Sequence, residues 1–264
     1  MMKPNGLRQL WAENKAALNG WLAVPSSFSA EVMAHQGFDT LTVDLQHGVA
    51  DYQTAVTMFQ AIGTTATTPL CRVPWNEPGI VQRLLDAGVM GVICPMVNTR
   101  AQAEAFVSVM RYPPRGTRSF GPIRALYAHG PTYPAEANDQ VVAFAMIETR
   151  EALDNLDDIL GVPGLDAVYV GPSDLAASLG YPPRFDPEEP AVVDAIRHII
   201  ARVKAHGLKA GIHNGTAAYA KKMIAAGFDL VTVGSDARFM ALEAANVAAA
   251  MKDRPAPGNS SGTY

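Results

Sequence analysis

Val141-Val142-Ala143-Phe144-Ala145-Met146-Ile147-Glu148 and Leu165-Asp166-Ala167-Val168-Tyr169-Val170-Gly171-Pro172-Ser173-Asp174 decide how this chain is read. Each is a short apolar run bounded by turn residues, the pattern of a strand buried on both faces of a parallel sheet. Each also ends on a carboxylate, Glu148 in the first and Asp174 in the second. A carboxylate at the mouth of a buried strand is costly unless it meets a cation or hydrogen-bond donors. Two of them on consecutive strands could seat a divalent metal through oxygen ligands. They could equally cap helices or form salt bridges, since Asp is a common N-cap.

The same alternation extends in both directions. Strand-like runs occupy residues 20–26, 40–46, 68–74, 91–97, 141–149, 165–172, 209–214 and 229–235. Helical patterns lie between them at 30–36, 52–62, 79–87, 100–110, 191–206, 217–226 and 237–251. Gly37, Gly88, Gly207 and Gly227 stand where helices hand over to strands, and glycine accepts the left-handed conformation that ends a helix. Eight strands alternating with helices predict a parallel sheet closed into a (β/α)8 TIM barrel. An open doubly wound sheet would want a Gly-rich phosphate turn, and no Gly-x-Gly-x-x-Gly occurs. Residues 1–253 read as one barrel domain and 254–264, rich in Pro, Gly and Ser, as a flexible tail. The alternation breaks at 111–138, where Pro, Gly, Arg and aromatic residues suggest a long functional loop or lid.

Composition narrows the partners. The chain has 264 residues, 48% of them hydrophobic, enough for a large core. A net charge of -4 and no run of basic residues give no reason to expect nucleic acid or an anionic membrane. No apolar run approaches the ~20 residues that span a bilayer. The N-terminus lacks the apolar core of a signal peptide. Cys71 and Cys94 lie on separate apolar runs without metal spacing, which predicts reduced core thiols and a cytoplasmic protein.

In a barrel the active site lies at the carboxyl ends of the strands. The second strand ends Asp44-Leu45-Gln46-His47-Gly48. Alternation sends Leu41, Val43 and Leu45 toward the helices and Thr42, Asp44 and Gln46 inward, with His47 just above. The third strand carries Arg72, which needs an anionic substrate or a buried partner such as Asp44 or Glu148, because it cannot neutralise itself. His213, Asn214 and Ser235 read as rim contacts and Asp236 as a helix N-cap. No lysine stands at a strand mouth, which disfavours Schiff-base chemistry.

With these residues placed, the chain resembles the HpcH/HpaI aldolase family, metal-dependent class II pyruvate aldolases, over roughly residues 20–251. The resemblance rests on Gly37-Phe38-Asp39, Asp44-Leu45-Gln46-His47-Gly48, Arg72-Val73-Pro74-Trp75-Asn76 and Leu84-Leu85-Asp86-Ala87-Gly88. It continues through Arg111-Tyr112-Pro113-Pro114-Arg115-Gly116, Met146-Ile147-Glu148-Thr149 and Gly171-Pro172-Ser173-Asp174-Leu175. Any one of these is weak; their order and spacing are specific.

The resemblance implies that Glu148 and Asp174 bind Mg²⁺, Mn²⁺ or Co²⁺, with no organic cofactor. It implies that pyruvate or hydroxypyruvate joins an aldehyde through a metal-stabilised enolate, forming or cleaving 4-hydroxy-2-oxo or 2-keto-3-deoxy acids. Arg72 would stabilise the developing oxyanion, and His47 would be the acid/base group. Backbone N–H groups around Gly171, Pro172, Ser173 and Asp174 would hold the substrate carboxylate. Asp44 and Gln46 would complete the constellation, Gln46 as a substrate contact. Asp86 would reach across a subunit boundary to orient the histidine. The family's usual assembly is a hexamer, a trimer of dimers, with exchanged C-terminal helices.

Two positions depart from the common family pattern. Gln46 stands where many members have Glu, and Met146 where many have Gln, so the chain looks like a Gln-His branch. Both changes bear on the choice of aldehyde and donor. Two other readings use the same residues. A CoA-ester lyase of the malyl- or citramalyl-CoA type would need Arg111, Arg115, Arg118 and Arg124 for phosphates. A non-catalytic sugar-acid binding protein would keep the barrel and lose chemistry at Gln46 and Met146.

Overall fold

Eight parallel strands close on themselves in sequence order in a computed structural model that describes residues 1–252 and 254–255. They are β1 (Ala17–Leu22), β2 (Thr40–Asp44), β3 (Thr68–Arg72), β4 (Gly91–Cys94), β5 (Val142–Ile147), β6 (Ala167–Val170), β7 (Lys209–Asn214) and β8 (Leu230–Ser235). β1 pairs with both β2 and β8, so no strand edge is left open. The expected (β/α)8 barrel is therefore the fold. The tail expected from residue 254 lies outside the described residues except for Arg254 and Pro255. Among the described residues no helix is long and apolar enough to cross a membrane.

Strand alternation sorts the apolar residues into two cores. Leu41, Val43, Cys71, Val92, Ala145, Val168 and Ile212 face outward and pack under the helices. Trp21, Leu70, Ile93, Phe144, Met146, Tyr169 and Leu230 face inward and fill the barrel. Burying a side chain of this size contributes about 1.5–3 kcal/mol, and both cores are densely supplied. The helix Gly6–Ala12 closes the amino end of the barrel by inserting Leu7 and Trp11 into the inner core. Its N-cap Asn5 also ties the plug down, donating to the carbonyls of Met90 and Gln140.

The interior is not wholly apolar. Asn19, Thr40, Thr42 and Thr232 form a fully buried polar layer across β1, β2 and β8. The Thr40 and Thr42 hydroxyls donate to Asn19 Oδ1, and Asn19 Nδ2 donates to Thr232 Oγ1 at 2.8 Å. This layer explains why β1 begins at Ala17 rather than at residue 20: its polar inward residue, Asn19, hides the strand from a search for apolar runs.

Residues 111–138 depart further from expectation. They are not a lid but carry the helix Ile123–His129 and most of the helix Tyr133–Gln140. Two of their arginines, Arg111 and Arg118, are buried at the amino end of the barrel. Arg111 donates to Val141 O and pairs with Asp166, and Arg118 pairs with Asp86. Arg115 pairs with Asp139, and Arg124 donates to the Ala87 carbonyl. The Pro- and Gly-rich composition that suggests a loop marks the turns between these short helices.

Trp11 fills the base of the barrel edge-on to Phe144, 5.9 Å between centroids, and donates to Asp229 O. Trp11→Ala should lower stability by about 3–5 kcal/mol, the usual cost of emptying a large buried aromatic site. Urea unfolding checks this; an unchanged midpoint would show that the plug is not part of the cooperative core.

Candidate active site

The carboxyl end of β2 aligns with that of β3, because Asp44 and Arg72 are register partners. Arg72 Nε donates to Asp44 Oδ1 at 2.8 Å and Nη2 donates to Oδ2 at 2.6 Å, a two-point contact. Both are buried, with 1% and 3% of their surface exposed. Trp21 Nε1 donates to Asp44 Oδ2, and the same indole lies under the guanidinium at 4.9 Å. Burial alone would raise the Asp44 carboxyl, but Arg72, Trp21 and the Gln46 N–H together hold it below the ordinary carboxylate value. Asp44 is thus an anion at neutral pH. Its Oδ1 also accepts the backbone N–H of Gln46 at 3.0 Å and of His47 at 3.4 Å, shaping the turn that lifts His47 into solvent at the mouth.

Glu148 follows β5 and is buried, with 2% exposed. Met96 N–H, from the loop after β4, donates to its Oε1 at 2.7 Å. Met96 reaches that position with φ 55°, a left-handed conformation that side chains other than glycine adopt at some cost. The second oxygen, Oε2, faces Gly171, where a Cβ would lie only 2.6 Å away. Gly171 leads into the helix Pro172–Ser178, whose first turn holds Asp174 with an exposed side chain. Burial raises the Glu148 carboxyl and the Asp174 charge adds to this; against the pull of Met96 N–H and Arg72, it is pushed up to about 7. A buried carboxylate whose ionisation is opposed by a second carboxylate beside it favours a cation there. Among the described residues no third His, Cys, Asp or Glu joins the pair. The remaining ligands of an ion would be solvent and substrate oxygens, the usual situation for Mg²⁺.

A small cleft brings Arg72 and Asp174 together, lined also by Met146, Tyr169, Gly171, Pro172, Ser173, Phe185 and His213. Ser173 Oγ and Gln46 Oε1 are buried with no hydrogen-bond partner. A buried polar atom without a partner costs about 1–3 kcal/mol, so these atoms are suited to a ligand. Larger clefts lie at the amino end of the barrel, for example around Lys3, Phe59 and Arg124, but none holds the paired carboxylates or Arg72.

Most of the residues expected at the site meet there: Asp44, Gln46, His47, Arg72, Glu148, Gly171, Pro172, Ser173 and Asp174 all stand at strand carboxyl ends or the turns just beyond. Asp86 does not. It ends the helix Pro78–Asp86, which runs back toward the amino end, and there it pairs with Arg118. Burial raises its carboxyl, with Arg118 opposing.

His213 and Asp236 also differ from expectation. His213 is no rim contact but a buried ring, T-shaped to Trp21 at 5.0 Å and close to Phe185 at 4.5 Å. Ser235, not Asp236, is the N-cap of the last helix, accepting from Arg238 N–H. Asp236 instead accepts from Ala23 N–H at 2.8 Å and the Ser29 hydroxyl at 2.9 Å, tying the start of the last helix to the loop after β1 and to the helix Ser27–Ala34 that follows it. Its place at a strand end made a cap the simpler reading; the partners come from a loop over 200 positions away in sequence.

The sequence profile of the HpcH/HpaI aldolase/citrate lyase family matches residues 19–242. A hydroxypyruvate/pyruvate aldolase of Rhizorhabdus wittichii is 44% identical over 245 residues, 93% of this chain and 98% of that one. A 4-hydroxy-2-oxo-heptane-1,7-dioate aldolase of Salmonella arizonae is 36% identical over 98% of this chain and 99% of its own length. Among solved structures, an HpcH/HpaI aldolase/citrate lyase family protein from Burkholderia cenocepacia superposes with a TM-score of 0.85 at 32% identity. That match covers 94% of this chain and 98% of the other.

The raised Glu148 carboxyl has a signed consequence for the metal-free protein. Its folded value near 7 exceeds the ordinary 4.5, so its contribution to stability is full below about pH 4.5 and is lost as pH rises through 7. Glu148→Gln cannot ionise. Its stability relative to the parent should therefore rise by on the order of 3 kcal/mol from acid to pH 8. Urea unfolding in EDTA at pH 4.5 and 8 measures the difference; parallel profiles would contradict a buried, raised carboxyl.

Proposed function

The chain belongs to the HpcH/HpaI aldolase/citrate lyase family, and we propose that it is a metal-dependent pyruvate aldolase whose site is the cleft at the strand carboxyl ends. The reading extends to a donor, pyruvate or hydroxypyruvate, and an acceptor aldehyde. One observation carries it: the buried Glu148, opposed by Asp174, shares its cleft region with an arginine that Asp44 holds by two hydrogen bonds.

Glu148 and Asp174 would hold the divalent ion, Mg²⁺, Mn²⁺ or Co²⁺. When bound, such an ion supplies Lewis-acid polarisation of the 2-oxo group. Arg72 places a fixed positive charge where the oxo oxygen gains negative charge as a proton leaves C3. Because Asp44 already orients it, little reorganisation is needed at that moment. At the start of the helix Pro172–Ser178 the Ser173 and Asp174 N–H groups precede the first intrahelical bond, from Leu175 N–H to Gly171 O. They and the unpartnered Ser173 hydroxyl suit the substrate carboxylate; Pro172 has no N–H and serves as wall. His47 at the mouth is placed to move the proton of the aldol hydroxyl. Gln46 contributes an amide beside it rather than a second acid.

The assembly reading is a hexamer, a trimer of dimers, in which Asp86 of one subunit serves His47 of another. It is supported by what one chain leaves uncovered. Ile123 is exposed in the cleft that Asp86 lines, and Phe120 and Tyr127 on the same segment are exposed as well. The helix Asp236–Ala250 buries only Asp236 and Ala249 and exposes Met240 and Val247, as a helix exchanged between subunits would. A CoA-ester lyase has less support, because Arg111, Arg115, Arg118 and Arg124 are engaged with protein groups away from the strand mouths. A purely binding role is disfavoured by retention of the whole Asp44, His47, Arg72, Glu148 and Asp174 set. With buried free Cys71 and Cys94, the reading is of a cytoplasmic enzyme.

Pyruvate in D₂O with Mn²⁺ or Mg²⁺ should lose its methyl proton signal on adding the protein, and EDTA should stop the exchange. Arg72→Lys, which leaves a cation beside Asp44, should slow exchange by about 10²–10³-fold, the usual cost of removing one oriented oxyanion donor. Proton NMR reads both effects; exchange that survives EDTA or the substitution would remove the assignment.

A further inference from the structure

A chain of hydrogen bonds links the inner polar layer to His213. Asn19 Oδ1 is taken by the Thr40 and Thr42 hydroxyls, so its Nδ2 donates to Thr232 Oγ1 at 2.8 Å. The Thr232 and Tyr169 hydroxyls then lie 2.6 Å apart. The Tyr169 hydroxyl is in turn 3.2 Å from His213 Nδ1. This relay exists because β7 has glycine at 211: a Cβ there would lie 2.8 Å from the Tyr169 ring, blocking its path from β6 to Thr232 on β8. With each hydroxyl donating onward from Asn19, Nδ1 accepts and the ring proton sits on Nε2. Burial lowers the His213 pKa to about 3, so the ring is neutral at working pH.

His213 lines the cleft together with Arg72, Ser173 and Asp174, and its ring is clamped between Trp21 and Phe185. Nε2–H has no protein acceptor among the described residues. We propose that His213 is a specificity-determining residue that donates this hydrogen bond to a hydroxyl oxygen of the substrate, so that the enzyme prefers hydroxylated substrates. That hydroxyl belongs either to the donor, on C3 of hydroxypyruvate, or to the acceptor, on C2 of a hydroxyaldehyde. The inference rests on the aldolase reading for its substrates and on the hydrogen-bond relay for its direction.

The test measures kcat/KM for four pairings: hydroxypyruvate or pyruvate with glycolaldehyde or propionaldehyde. In the parent, hydroxylated substrates should be preferred. In His213→Phe, which keeps an aromatic ring but cannot donate, the preference ratio should fall at least tenfold, about the value of one buried hydrogen bond. A fall confined to the hydroxypyruvate pairings assigns the contact to the donor, and one confined to glycolaldehyde pairings assigns it to the acceptor. His213→Gln, which retains an N–H, should restore part of the ratio. A purely structural role would lower all four pairings together and leave the ratio unchanged, overturning the proposal.

Two measurements stand apart from turnover. Long-range ¹H–¹⁵N NMR should find His213 as the Nε2–H tautomer, and the Nδ1–H form would overturn the donor assignment. Calorimetry with Mg²⁺ should show hydroxypyruvate binding more tightly than pyruvate if the donor carries the hydroxyl. If no pairing gives aldol product, the aldolase reading fails. In that case equal affinities for the two acids would overturn the His213 assignment as well, and a retained preference would support it.

Discussion

Arg72 could not stand where it does without Asp44. A guanidinium cannot be neutralised at physiological pH, and a buried one without a counter-ion would cost several kcal/mol. The pair adds little net stability, because both ions give up hydration to meet. What it provides is geometry. The parallel register places the two residues side by side, and the Trp21 indole both donates to the carboxylate and underlies the guanidinium. Asp44 also accepts from the backbone of Gln46 and His47, so the same carboxylate shapes the turn bearing the proposed acid/base group. One anion thus orients both the Arg72 guanidinium and the turn that carries His47.

On the opposite side of the mouth the design is reversed: two carboxylates stand together with too few donors. Glu148 receives one backbone N–H, from a Met96 held in a left-handed conformation, and is otherwise confronted by Asp174 and the bare Cα of Gly171. Such an arrangement raises the Glu148 carboxyl and is what the proposed divalent ion would relieve. Strain and charge repulsion of this kind are expected where binding energy is to be directed at a ligand.

Between these two halves the barrel interior changes character with depth. The amino end is apolar and sealed by Trp11 and Leu7, the middle is a layer of Asn and Thr, and the top carries the ionised groups. The middle layer looks like a stability defect if taken residue by residue. As a connected set its hydrogen bonds are satisfied, and it orients Tyr169 and through it His213. Support of this sort is what holds reacting groups to a fraction of an ångström on a rigid scaffold.

Much of this was legible in the chain before folding. Apolar runs punctuated by Gly and closed by carboxylates determine eight strands and the residues at their mouths, because strand period and strand ends are local properties. Asp44, Arg72, Glu148 and Asp174 could be located that way, each as a charge on a buried element in need of a partner. The tertiary structure alone decided which partner. Arg72 chose Asp44 over Glu148 because parallel register aligns the ends of β2 and β3. Residues 111–138 became helices at the base rather than a lid, because their arginines find acceptors at Val141, Asp166, Asp86 and Ala87. Asp86, on a helix that returns to the far end, can act at a site only through another copy of the chain. And His213 acquired its contact with residues on β1, β2, β6 and β8 through a hydrogen-bonded chain assembled by closure of the barrel, which no stretch of sequence contains.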